Sequence, residues 1–345
     1  MDARALPRDP SCRTSRAGYT PRMPVTRRLL LAGMAAAILP CPARAQARGG
    51  QVHRIGWMST EAPPDPFVDG FREGLRQNGY HEGQNVILDV RSARDLGALR
   101  TAVAELVRAN VAFIVSSGPA IRATKDVQKV PVLFAISGDP VELGLAASVA
   151  RPGRNFTGLT FLSLEVAGKR VDLLKQAVPH LRRLAILSNT DHPGERSERR
   201  ATEEAAQALG LAVAYVPFTG GGDLDRGLAA IREARADALL VFPEGATMGA
   251  RARIAQFATG ERLPSMFGWS EYADAGGLMS YGANQRETHV RLATYADKLL
   301  RGARPSELPI EQPTRFELVV NMRTAAAIGI TLPAPILLLA TRRVE

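Results

Sequence analysis

Polar side chains that follow apolar stretches are the residues of this chain best suited to chemistry. Ser116 and Ser117 end one such stretch and precede Gly118-Pro119. Their hydroxyls, with the free N–H groups of a helix that starts there, would bind an anion such as a carboxylate. The alternative is that a serine only caps this helix. Glu244 ends an apolar stretch in the second half of the chain and is suited to an ammonium group.

Ser137 and Asp139 follow another apolar stretch and are further candidates for ligand contact. Asp139 lies in a Gly-Asp-Pro motif, where it either contacts a ligand or caps a helix that starts near Val141. Aromatic residues near such strand ends would supply an apolar wall for a ligand. The candidates for this wall are Trp57, Phe242 and Trp269, whereas Phe267 is expected in the core.

The sequence lacks the short motifs of common enzyme classes. It has no Gly-x-Ser-x-Gly elbow, no His-Glu-x-x-His, no Walker-type Gly-Lys-Ser/Thr and no Gly-x-Gly-x-x-Gly after a strand. Its five histidines are scattered without metal-ligand spacing, and most are expected at the surface. We therefore expect no enzymatic activity, no cofactor and no metal.

The elements that position these residues alternate along the chain. Apolar runs of strand length are separated by helical patterns, which predicts βαβ units and parallel sheets. Apolar residues at helical spacing, such as Phe67, Phe71 and Leu75, indicate helices that pack on those sheets. Strands are predicted at 54–58, 86–90, 112–116 and 132–136, and again at 184–188, 212–217, 238–242 and 265–267.

The two halves of the chain contain matching segments. Val-Pro-Val-Leu-Phe-Ala-Ile-Ser at 130–137 corresponds to Leu-Pro-Ser-Met-Phe-Gly-Trp-Ser at 263–270, and 113–118 corresponds to 239–245. This repetition predicts two similar α/β lobes that face each other. The candidate residues of the first half would then lie opposite Phe242, Glu244, Trp269 and Ser270, with a ligand in the cleft between them.

Longer motifs run from about His53 to the C-terminus. They are Gly-Asp-Pro-Val at 138–141, Ala-Arg-Pro-Gly at 150–153, Asn-x-Thr-Gly at 155–158, Ala-Gly-Gly-Leu-Met-Ser-Tyr-Gly at 275–282 and Glu-Gln-Pro-Thr-x-Phe-Glu-Leu at 311–318. Together they resemble the ABC transporter substrate-binding family, which has a type I periplasmic binding fold and relatives similar to tryptophan and tyrosine receptors. The resemblance adds Asn189 and Tyr281 to the candidate ligand residues.

This resemblance implies two Rossmann-like lobes joined by three crossings, a hinge suited to closing around a ligand. The crossings are expected near 161–164, 276–281 and 313–316. The expected division is a first lobe of residues 50–162 plus 281–313 and a second lobe of residues 163–280 plus 314–345.

Residues 1–45 predict a signal sequence rather than part of the fold. Arg27 and Arg28 precede an eleven-residue apolar run at 29–39, which is followed by Ala43-Arg44-Ala45. Cleavage is expected before Gln46, and both Sec and twin-arginine export remain open. The start codon also remains open between Met1 and Met23. Export to the periplasm is the expected outcome.

The charge distribution and the positions of the cysteines limit the classes of partner that the protein is expected to bind. Eight arginines and two aspartates lie in residues 1–45, so that segment contributes +6 of the formal charge of +10. The remainder shows no basic run flanked by aromatics, and no nucleic-acid partner is expected. Both cysteines, Cys12 and Cys41, also lie in that segment.

The sequence therefore predicts a periplasmic solute-binding component of an ABC importer. We expect a monomer that binds a small molecule, with an amino acid or another small carboxylate as cargo, and that delivers it to an inner-membrane permease. The alternative is an exported ligand sensor that delivers its solute to a signalling partner.

Overall fold

The computed structural model describes residues 52–61, 65–93, 95–219 and 223–345. The predicted signal sequence at 1–45 lies outside these residues. Within the described ranges, no helix combines the length and apolarity that a membrane span requires.

The first sheet has five parallel strands in the order β2-β1-β3-β4-β5. Its central strand β3 and the neighbouring β4 are buried along their whole length, as expected for parallel strands covered on both faces. The strands of this sheet are β1 (His53–Ser59), β2 (Val86–Ser92), β3 (Ile114–Ser117), β4 (Val132–Ile136) and β5 (Phe156–Thr160).

The second sheet has seven strands in the order β12-β11-β10-β9-β8-β6-β7. Among the described residues its pairings are parallel except for β10 with β11. Its strands are β6 (Arg183–Asn189), β7 (Ala212–Phe218), β8 (Ala238–Val241), β9 (Ser265–Phe267), β10 (Met279–Gly282), β11 (Glu317–Asn321) and β12 (Arg342–Val344).

Helices cover both sheets. The first sheet carries α1 (Pro66–Gln77), α2 (Leu96–Arg108), α3 (Ile121–Thr124) and the distant α10 (Gln285–Leu300), which packs along α1. The second sheet carries α4 (Ala167–Ala177), α5 (Glu195–Ala208), α6 (Leu224–Glu233), α7 (Gly245–Gly249), α8 (Arg251–Gly260), α9 (Ser270–Asp274), α11 (Met322–Ile328) and α12 (Ala334–Leu339). We call the two groups lobe 1 and lobe 2.

Local sequence explains why α1 starts where it does. Asp65 caps the helix by accepting a hydrogen bond from the N–H of Phe67 at 2.9 Å, and Pro66 occupies the first helical position. The apolar stripe of Phe67, Phe71 and Leu75 is buried, as its spacing predicts. The capped first turn therefore places Phe67 at the edge of the cleft between the lobes.

The two-lobe α/β fold expected from the sequence is confirmed. The predicted strands at 132–136 and 265–267 match β4 and β9 residue for residue. The chain crosses between the sheets after β5, after β10 and before β11. The second crossing follows Gly282, because residues 279–282 form β10 and pair with both β9 and β11. The lobe boundaries assigned from the sequence remain a prediction.

The lobes touch each other in this structure. One buried apolar cluster includes Phe67 and Phe161 from lobe 1 and Trp269 from lobe 2. The core of the described residues therefore continues across the cleft, and the lobes are in a closed arrangement.

Candidate functional site

Two spaces lie between the lobes, beside the carboxyl ends of the strands. The larger, which we call the outer cavity, has a volume of about 680 Å³, within the range of pockets for small molecules. The smaller, which we call the central void, has a volume of about 10 Å³ and lies between Ser117, Ser137, Glu244 and Trp269. Lobe 1 contributes Thr60, Pro66 and Arg122 to the outer cavity, and lobe 2 contributes Asn189, Asp191 and Met248.

The serines at the ends of β3 and β4 are buried, and Ser117 and Ser137 border the central void. Ser116 is fully buried, and its hydroxyl has no hydrogen-bond partner among the described residues. Ser117 precedes a short 3₁₀ turn at Gly118–Ala120 but makes no side-chain capping bond to it. The Ser137 hydroxyl donates to the Pro243 carbonyl of lobe 2 at 3.3 Å. Ser117 thus lies at the central void without the capping bond that was the alternative.

Asp139 stabilises a turn. Its Oδ1 accepts hydrogen bonds from the N–H groups of Val141 at 2.6 Å and Glu142 at 3.2 Å. The expected helix near Val141 is absent, because the chain turns through residues 140–144 instead. Asp139 borders a separate cavity of about 20 Å³ that also contacts the hinge residue Leu162.

Glu244 is the N-cap of α7. Its two carboxylate oxygens accept the N–H groups of Ala246 at 2.9 Å and Thr247 at 2.6 Å. The Asn189 amide donates to the same carboxylate at 3.1 Å. Glu244 is buried and borders the central void, whereas Asn189 borders the outer cavity. A single buried polar cluster at the ends of β6 and β8 therefore lies between the two spaces.

Trp269 of lobe 2 packs against aromatic residues of lobe 1. Its ring centroid lies 5.7 Å from that of Phe67 and 5.3 Å from that of Phe161, both in edge-on geometry. Trp269 is 3% exposed. The sequence indicated this tryptophan but not its two partners, since Phe67 lies in a helix stripe that spacing assigns to the core.

Three other residues predicted to contact ligand lie away from the two spaces. Trp57 is fully buried in lobe 1, with its ring 5.4 Å from that of Phe71. Phe242 is fully buried in the apolar core of lobe 2. Tyr281 lies in β10 and stacks on Phe316 at 6.1 Å, next to the crossings.

A buried ionic network that the sequence did not indicate joins the cleft to the crossings. Arg170 donates to Glu198 at 2.7 Å and to the carbonyl of Tyr281 at 2.8 Å, and both charged side chains are nearly inaccessible. Burial lowers the pKa of the Arg170 guanidinium, while the Glu198 carboxylate raises it. His192 borders the central void with its Nε2 3.6 Å from Glu198 Oε2.

A second histidine is also buried, so that His192 and His289 are the two exceptions to the surface position expected for most histidines. His289 is fully buried in α10, and its ring stacks on Phe67 at 5.1 Å. Burial lowers the pKa of His289 to about 4, so the imidazole is neutral at physiological pH. A neutral ring can pack among aromatics without a charged partner.

Polar pairs and one close backbone contact hold the lobes together. Arg122 of lobe 1 donates to Asp191 of lobe 2 at 2.9 Å. Ser197 of lobe 2 donates to Glu142 of lobe 1 at 2.8 Å. Gly138 and Gly194 approach so closely that a Cβ at position 194 would lie 2.7 Å from the Gly138 Cα. These contacts depend on closed lobes.

The arrangement suits binding of a small molecule. Arg122 borders the outer cavity and places a cationic guanidinium there, which has more N–H donors than its bond to Asp191 uses. Asp191 and Asn189 offer acceptors on the opposite wall. Among the described residues, no group of three or more histidine, cysteine, aspartate or glutamate side chains is placed to hold a metal ion.

Comparison with known proteins agrees with this geometry. The chain is 20% identical to a tyrosine-binding protein of Clostridioides difficile over 268 residues, which cover 76% of each chain. A conserved domain protein from Vibrio cholerae superposes with a TM-score of 0.79 at 23% identity, covering 85% of this chain and 100% of that one. An ABC domain from Streptococcus pneumonia, solved in complex with L-Trp, superposes with a TM-score of 0.78 at 20% identity and the same coverage.

The two solved structures show the same two-lobed fold. The family of ABC transporter substrate binding proteins matches residues 61–344. Because this match covers most of the chain, the protein belongs to the ABC transporter substrate binding protein family.

Proposed function

We propose that this protein is the solute-binding component of an ABC importer and that it captures a small carboxylate between its lobes. The observation that carries the proposal is the outer cavity of about 680 Å³, whose walls come from both lobes. A solute in such a space contacts both lobes only when they are closed. Binding would therefore favour the closed form, which a membrane permease can distinguish from the open one.

A carboxylate is favoured by the charge on the lobe 1 wall. Arg122 lines the outer cavity, and its guanidinium has more N–H donors than the one hydrogen bond to Asp191 uses. Asp191 and Glu61 place carboxylates near the same space, which suits a solute that also carries an ammonium group. Amino acids combine both groups, and the names of two relatives refer to tyrosine binding and to a complex with L-Trp.

The residues proposed to contact the solute follow from this placement. Asn189 and Arg122 border the outer cavity and are proposed to contact the solute, whereas Ser117, Ser137 and Glu244 border the central void, which is too small to hold one. The carboxylate of Glu244 already accepts three hydrogen bonds. Glu244 therefore acts on a solute in the outer cavity through Asn189, whose amide it accepts and which borders that cavity.

The same proposal includes the cellular setting. Residues 1–45 have the order of a signal sequence, which supports a location outside the cytoplasm. We propose that the protein works as a monomer in the periplasm and delivers its solute to an inner-membrane permease. Fractionation of cells that express the whole chain would test the location, with a cytoplasmic marker as control.

A binding screen tests the function. Purified protein is heated with amino acids, small carboxylates, nucleosides and sugars, and a solute that binds the folded state raises the melting temperature Tm in a saturable way. We expect a shift with a carboxylate-bearing solute that is lost in Arg122→Gln. Arg154→Gln serves as the control, because Arg154 is a surface arginine whose bond is to the Gly144 carbonyl. Shifts only with uncharged solutes would exclude the carboxylate.

A further inference from the structure

The Trp269 indole lies in a pocket that the opposite lobe forms. Its nearest aromatic neighbours, Phe161 and Phe67, both belong to lobe 1, at 5.3 and 5.7 Å between ring centroids. Tyr272 of its own lobe is farther away, at 6.5 Å. Because the shorter ring contacts cross the cleft, the burial of this side chain depends on the lobes being closed.

The backbone explains how the side chain reaches across. Trp269 follows β9 after Gly268 and has an extended conformation, with φ −130° and ψ 150°, before α9 begins. It thus stands at the carboxyl end of a parallel strand, where side chains point to the cleft. The matching position in the repeat of lobe 1 is Ile136, which is also buried at the central void. Lobe 2 therefore places the larger side chain at this site.

The indole leaves almost no room at the centre of the cleft. The central void beside it measures about 10 Å³, enough for roughly one water molecule. An amino acid does not fit there while Trp269 keeps this position. The outer cavity of about 680 Å³ is large enough for such a solute.

We propose that Trp269 is a built-in occupant of the centre of the cleft and determines which solutes the protein accepts. The indole fills the pocket between Phe67 and Phe161, excludes free aromatic side chains from it, and leaves the solute to the outer cavity beside Arg122. It also stabilises the closed lobes, because closure buries it. One part of this assignment, the placement of the solute in the outer cavity, rests on the proposed function.

Replacement of the indole by free indole tests the assignment directly. Trp269→Ala removes an aromatic ring from a buried apolar pocket, and such pockets bind aromatic molecules of matching size. We expect indole to raise the Tm of this variant by at least ~2 °C in a saturable way. Wild type and Trp269→Phe should show no such rise, because an aromatic ring still fills the pocket. An equal response in wild type and Trp269→Ala would overturn the assignment.

A measurement on the wild type covers the case in which the alanine variant does not fold. The chain has two tryptophans, Trp57 and Trp269, and both are buried in the closed form, at 0% and 3% exposure. Acrylamide should therefore quench little of the tryptophan emission in the absence of solute. If about half of the emission were quenched readily, with a shift to longer wavelength, Trp269 would be exposed in solution and would not occupy the pocket.

The two experiments separate this assignment from the proposed function. A carboxylate that raises the Tm of wild type without increasing acrylamide quenching supports both. A solute whose binding makes Trp269 accessible overturns the assignment and leaves the solute-binding function intact. An indole response in Trp269→Ala, with no solute found for wild type, supports the assignment and counts against the function.

Discussion

Replacing Gly194 with alanine is expected to hold the two lobes apart. A Cβ at position 194 would lie 2.7 Å from the Cα and 3.0 Å from the N of Gly138, on the opposite lobe. Carbon atoms in favourable contact lie about 3.5–4.0 Å apart, so the gap is too narrow by about 1 Å. Gly194 has φ −92° and ψ 2°, which alanine adopts without strain. The clash therefore acts on the contact between the lobes.

The size of the effect follows from the cost of overpacking. Extra methyl groups in packed interfaces cost about 1–3 kcal/mol. If that cost applies only to the closed form, the closing equilibrium shifts by about 5–150-fold, and the affinity for a solute that binds the closed form falls by up to the same factor. The Kd for the solute found in the screen measures this factor by calorimetry. Small-angle scattering should show a larger radius of gyration for Gly194→Ala than for wild type.

A matched alanine control separates closure from general stability. Gly260 ends α8, and a Cβ there would meet no atom within 4 Å. Gly260→Ala should leave Kd and radius of gyration unchanged. Gly138→Ala adds a methyl group on the lobe 1 side of the same contact, with its Cβ 3.0 Å from the Gly194 Cα. It should also raise Kd and the radius of gyration. An unchanged Kd and an unchanged radius of gyration in Gly194→Ala would refute the inference that this contact limits closure.

Three further predictions concern buried polar groups. The pKa of His289 is lowered to about 4 in the folded state, so the unfolded chain takes up this proton first as the pH falls below about 6.5. The free energy of unfolding should therefore fall by about 2 kcal/mol between pH 7 and pH 5. Urea titrations should show this fall in wild type and a flatter pH profile in His289→Gln. Arg170→Met leaves Glu198 buried without its partner at 2.7 Å and should lower the free energy of unfolding by about 3–5 kcal/mol. The double variant Arg170→Met/Glu198→Gln should recover part of this loss. A double variant as unstable as the single one would argue against the ion pair as the cause. Glu244→Gln replaces one of the two capping acceptors with a donor and should lower the free energy of unfolding by about 1 kcal/mol. An unchanged urea midpoint would contradict the capping role.

Strong local patterns account for the parts of the fold that the sequence predicted. The segments at 132–136 and 265–267 are short and mainly apolar, each follows a proline and ends before a serine or glycine, and β4 and β9 have those bounds. The later strands β10, β11 and β12 were missed as strands, because their pairing joins distant segments of the chain. A helix was expected near Val141, where the structure has a turn at 140–144, because an Asp-Pro pair occurs both at the start of helices and in turns.

Contacts between distant residues explain what the sequence left open in the site. The sequence placed Trp269 at the cleft, but its two aromatic partners come from α1 and from the end of β5. His192 and His289 are single residues without periodic signal, and only the folded chain shows that both are buried. Glu244 was a candidate ligand for an ammonium group, and its capping bonds to α7 became visible only with the backbone in place.

The contacts across the cleft also bear on how tightly a solute can bind. Trp269 and the Arg122–Asp191 pair stabilise the closed form from within the protein, which raises the fraction of molecules that are ready to bind. The indole at the same time removes the centre of the cleft from the surface available to the solute. Trp269→Ala should therefore weaken binding of a solute in the outer cavity, although the substituted residue does not border that cavity. Tighter binding of the same solute would mean that it moves into the vacated centre, and the indole would then limit affinity instead of supporting closure.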